Sequence, residues 1–135
     1  MKFNMSVLSI AILLSGCATS AIMSQQATMV PANRVTLPSE MIGPVKAVFI
    51  RDTGITGSAT YEHIFVDGKE AAALDPGEKV ELSLQPGEHI FSVHPTDPLG
   101  LAVGVTLAQQ LQEGTPYYFR IAIHHDTLLQ RVNPL

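Results

Sequence analysis

From Gly43 onward, short runs rich in Val, Ile, Phe and Tyr are separated by Gly- and Pro-containing turns. Their spacing of about 8 to 12 residues is the punctuation of a β-sandwich or barrel. Residues 45–51 form the first run, and residues 59–66 the second, closed by Asp67 and Gly68. That pair suits a two-residue type I′ hairpin, in which both central residues take positive φ. Residues 69–74 return from it, and Asp75, Pro76, Gly77 and Glu78 make the next turn, with Pro presetting φ. The run that follows has the cleanest alternation: Val80, Leu82 and Leu84 interleave with Lys79, Glu81 and Ser83. A strand with that period buries one face and wets the other.

Gln85, Pro86 and Gly87 mark a third turn, after which His89, Phe91 and Val93 share one face and Ile90 and Ser92 the other. A loop is expected over residues 95–100. Leu101, Val103, Val105 and Leu107 then occupy alternate positions, predicting a strand to about Gln109. A helix competes here, because Leu99, Val103, Leu107 and Leu111 recur every four residues. Gly100, Gly104 and the β-branched Val103, Val105 and Thr106 favour the strand. Tyr117, Phe119, Ile121 and Ile123 face away from Tyr118, Arg120 and Ala122 in a core strand, and residues 127–132 predict a last edge strand before Asn133 and Pro134. The expected fold is all-β: a small immunoglobulin-like sandwich of seven or eight strands within residues 43–135.

The N-terminus has a different character. Lys2 precedes an apolar stretch from Met5 to Leu14, about ten residues against the roughly 20 needed to span a bilayer. The stretch ends in Leu14, Ser15, Gly16 and Cys17, a string that resembles the lipobox of bacterial lipoproteins. The resemblance implies removal of residues 1–16 as a signal peptide. It also implies acylation of Cys17 with diacylglycerol and palmitate-like chains, and a mature protein beginning at that cysteine. At about 0.8 kcal/mol per buried methylene, two or more chains anchor stably where one does not. By the sorting behaviour of such lipoproteins, Ala18 after the cysteine points to the outer membrane, facing the periplasm. The alternative is an unmodified Cys17 in a simple secretory signal cut after Ala18 or Ser20. Residues 17–42 are mostly small and polar, interrupted by Pro31 and Pro38, and show neither period 2 nor period 3.6. They read as a lipidated N-terminus and flexible tether with a reach of about 27 Å; the alternative packs residues 34–37 as an edge strand.

The turns carry a second resemblance. Val66, Asp67, Gly68 and Lys69, then Asp75, Pro76 and Gly77, then Gln85, Pro86, Gly87, Glu88 and His89, and finally Gly114, Thr115, Pro116, Tyr117 and Tyr118 follow a shared frame. This frame resembles an uncharacterised family of small bacterial lipoproteins, a domain of unknown function, and is similar to the PEGA-type surface β domains. It covers about residues 45–124. Thr115 and Pro116 stand where the family tends to have a polar pair. The resemblance implies a sandwich fold and an envelope location, and it carries over no catalytic residue.

Composition narrows the chemistry. The 135 residues are 46% hydrophobic and 15% charged, unlike disordered chains. A net charge of −4 offers no footprint for phosphate backbones, so no nucleic-acid partner is expected. One cysteine and no tryptophan exclude an internal disulfide framework, a Cys-rich zinc site and broad aromatic stacking surfaces. No Gly-x-Ser-x-Gly elbow occurs, and Gly57 and Ser58 read as turn residues. Acid pairs such as Glu62 with Asp67, or Glu78 with Glu81, read as surface charges flanking turns. No enzyme activity and no cofactor are expected.

The expected function is a lipid-anchored, non-catalytic binding or scaffolding module of the cell envelope. It would present sheet edges, or the loops at residues 52–58 and 95–100, to another envelope protein or to cell-wall polymer. The alternative is a periplasmic metal- or small-ligand-binding protein. Its candidate ligands are His89, His94 and His124, of the five histidines that also include His63 and His125.

Overall fold

The computed structural model describes residues 19–124 and 126–134. Nine strands run through them: β1 (Thr28–Met29), β2 (Ile42–Arg51), β3 (Glu62–Val66), β4 (Lys69–Leu74), β5 (Glu78–Leu84), β6 (Gly87–Pro95), β7 (Val105–Leu111), β8 (Tyr117–Ile123) and β9 (Thr127–Val132). They form two sheets, β1-β5-β2-β8-β9 and β4-β3-β6-β7. The apolar face of each sheet packs on that of the other, so the fold is an all-β sandwich. At its centre Phe49, Phe91 and Phe119 pack mutually, with ring centroids 4.8 to 5.1 Å apart. Val80, Leu82 and Leu84 are buried there while Glu81 and Ser83 face out, as their alternation predicts. The β3–β4 hairpin turns through Asp67 at φ 49° and Gly68 at φ 80°, the positive pair a two-residue loop needs.

The bounds of β3 and β7 depart furthest from those expected. The second run begins at Glu62 rather than Ala59, because the Thr60 carbonyl accepts a hydrogen bond from Arg51 instead of joining a ladder. β7 begins at Val105 and extends to Leu111, leaving Leu101 and Val103 in an exposed loop. The ladder to β6 stops at Val93–Val105, and Pro95, which lacks an N–H, ends β6. Beyond it, the Asp97 carboxylate accepts from the N–H groups of Leu99 and Ala102 and holds the segment as a turn.

The largest correction concerns residues 19–42, which lie along the sandwich rather than forming a free tether. Ser20 pairs with Thr53, β1 pairs parallel with β5, and Val35 bridges Ala72 of β4. Arg34 makes two 2.7 Å bonds to the Glu78 carboxylate and a third to the Ala73 carbonyl. Backbone groups left open at the β5 and β4 edges are thereby satisfied, which polar composition alone does not reveal. Ala27 and Ile22 also pack on Val48 and Ile50, the outward side chains of β2. β2 is consequently covered on both faces.

Candidate functional site

Four connections meet at one end of the sandwich: residues 52–61, 75–77, 96–104 and 124–126. Arg51, the last residue of β2, organises this end from within. Its side chain is 1% exposed. One guanidinium nitrogen donates to the Thr60 and Leu74 carbonyls at 2.7 and 2.6 Å, and another donates to Gly57 at 2.7 Å. The planar fork of arginine lets a single side chain tie loop 52–61 to the end of β4. Beside it, Asp52 is buried and accepts from Arg120 of β8 at 2.7 Å, joining the loop to the strand that neighbours β2 in the same sheet.

Glu62 opens β3 and is also 1% exposed. Its Oε2 has no hydrogen-bond partner among the described residues. Burial pushes its carboxyl up to about 6, opposed chiefly by the positive charge of Arg51. The group lines an open cleft of about 350 Å³ together with Gly57, Thr60, Leu101, Val103, Ile123 and Asp126. A carboxyl raised from 4.5 to about 6 by folding contributes its full stabilisation below pH 4.5 and loses it as pH rises through 6. Relative to wild type, Glu62→Gln should therefore gain about 2 kcal/mol between pH 4 and pH 7.5. Denaturant titrations of both proteins across that range read the difference, and parallel pH profiles would contradict a raised Glu62.

The candidate ligand histidines of the alternative reading do not converge. His89 and His94 lie five residues apart on β6, about 16 Å along the strand, and face opposite sides of the sheet. His89 is held at the hairpin end, its Nδ1 2.7 Å from Asp67 and its Nε2 donating to the Gln85 carbonyl at 2.7 Å. His94 packs edge-on against Phe65. His124 sits at the loop end, its Nδ1 3.0 Å from the Thr19 hydroxyl. No group of three metal-ligating side chains occurs among the described residues. Glu62 and Asp67, one of the acid pairs read from the sequence, stand at opposite ends of β3. Glu78 turns inward to Arg34 while Glu81 pairs with Lys46 at 2.9 Å on the surface, so that pair separates too.

The N-terminal segment also enters the molecule at the loop end. Thr19 bonds to His124, and Ser20 exchanges backbone hydrogen bonds with Thr53. Gly54, at φ +150°, lets the segment approach, because a Cβ there would stand 2.8 Å from the Thr19 Cα. Leu14, Ser15, Gly16, Cys17 and His125 lie outside the described residues. The sequence signal for the buried Arg51–Glu62 centre was faint: a charged residue ending an apolar run, and another starting the next strand. No protein-family model, no curated protein and no solved structure matches the chain.

Proposed function

We propose that the chain is a lipid-anchored, non-catalytic binding or scaffolding module of a bacterial cell envelope, held by Cys17 at the outer membrane. The observation that carries this reading is the string Leu14, Ser15, Gly16 and Cys17 after a short apolar stretch, two residues before the chain joins the sandwich. Three polar side chains of the loop end support a structural use. Arg51 is engaged by three carbonyls, Asp97 by two backbone N–H groups, and Asp52 by Arg120. The N-terminal segment closes one side of the sandwich, adding β1 beside β5 and bridging β4, while β7 and β9 terminate the sheets on the other. Sheet edges of that kind can pair with an added strand, so the β7/β9 side is the surface offered to another envelope component.

Cys17→Ser should abolish fatty-acid labelling and release the protein from the membrane fraction. Metabolic labelling with a palmitate analogue and fractionation of the envelope measure both. Retention of label and membrane association in the variant would overturn the anchor.

A further inference from the structure

The loop end carries apolar side chains that the fold leaves uncovered. Ile55, Leu99, Leu101 and Val103 are between 75% and 86% exposed, whereas no other large apolar side chain among the described residues exceeds 52%. Ile55 lies on loop 52–61 and the other three on loop 96–104; Leu101 and Val103 rim the cleft beside Gly57 and Ile123. Thr19 contacts the same end, through Gly54 of the first loop and through His124, which follows Ile123. Two peptide links separate Cys17 from Thr19, so their Cα atoms are no more than about 7 Å apart. The described chain therefore points toward Cys17 from Thr19, at the end of the body that displays these four side chains.

We infer that this end docks on the lipid surface, with Ile55, Leu99, Leu101 and Val103 entering the membrane interface beside the acyl chains of Cys17; the inference rests on the lipid-anchor reading above. An exposed apolar cluster of this sort marks an interaction surface. The chemistry of the loops suits lipid. Neither loop contains Lys or Arg. Asp52 is buried against Arg120, so loop 52–61 presents no free charge, and the one carboxylate of loop 96–104, Asp97, is turned onto the Leu99 and Ala102 N–H groups rather than toward the tips. Asp126 stands exposed on the neighbouring turn. A flexible tether would have held the body away from the headgroups, but the N-terminal segment is packed from Ser20 onward and leaves too little chain for that. Docking also leaves the β7/β9 side free.

The test uses the full lipidated chain in vesicles of phosphatidylethanolamine and phosphatidylglycerol. An environment-sensitive fluorophore is attached at Leu101→Cys or Ile55→Cys, and at Thr115→Cys in the exposed loop of the opposite end. Acylation blocks the native thiol, and flotation of the same sample reports the anchor. Blue-shifted labels at positions 101 and 55, quenched several-fold less by an aqueous quencher than the label at 115, are the expected result. Floated protein whose labels are equally wet at both ends would overturn the docking while sparing the anchor, and would assign the apolar tips to a protein partner. Protein that does not float refutes the anchor and the docking with it.

Discussion

Leu82→Asp should unfold the domain. Leu82 is 2% exposed at the middle of β5, opposite Ala47 in the ladder and within the shared core of the two sheets. The substitution removes a buried aliphatic side chain and forces a carboxylate into a region with no partner for it. The combined loss is on the order of 5 kcal/mol, comparable to the whole stability of a domain this size. Ser83→Asp, one residue along and on the wet face, should stay within about 0.5 kcal/mol of wild type. Circular dichroism melts of the two variants check this pair of outcomes. Near-native melting of Leu82→Asp would show the facing of β5 to be wrong.

Arg51→Met is expected to cost about 3–5 kcal/mol, because one side chain supplies the hydrogen bonds of three carbonyls and the positive charge that most offsets the burial of Glu62. Methionine fills similar volume, so packing is largely kept and the loss falls on the unsatisfied acceptors. Loop 52–61 should also become sensitive to protease well below the melting temperature, since the Thr60 and Gly57 attachments hold its middle and C-terminal part. Arg51→Lys should recover only part of the loss, as a point charge cannot reproduce the fork. Chemical denaturation with limited proteolysis measures all three proteins. An Arg51→Met variant within about 1 kcal/mol of wild type would mean the carbonyls are satisfied without it.

Much of the fold was legible because its signals are local. Period-2 alternation set the facing of β5 and β6, and Asp67–Gly68 set the hairpin between β3 and β4. The packing of the N-terminal segment leaves no local pattern, for a physical reason. Residues 19–42 have no periodicity of their own, since they bond to sheet edges through scattered backbone groups and single side chains such as Arg34. A signal of their packing did exist elsewhere in the chain. Ala47, Val48, Phe49 and Ile50 form an unbroken apolar run, and β4 has Ala71, Ala72, Ala73 and Leu74 in sequence, all buried. Strands without alternation are covered on both faces, and the N-terminal segment covers the second face of β2.

The sequence by itself determined the all-β class, the positions of most turns, the buried face of the central strands and the presence of a lipobox-like string. Each of these depends on contacts between near neighbours or on the identity of a few adjacent residues. Tertiary structure alone decided that Arg51 and Glu62 share a buried centre, that the histidines stay apart, and that Thr19 and the four exposed apolar tips occupy one end. Those outcomes depend on how different strands and loops are brought together, through burial and through hydrogen bonds to backbone, and backbone acceptors leave no trace in residue type.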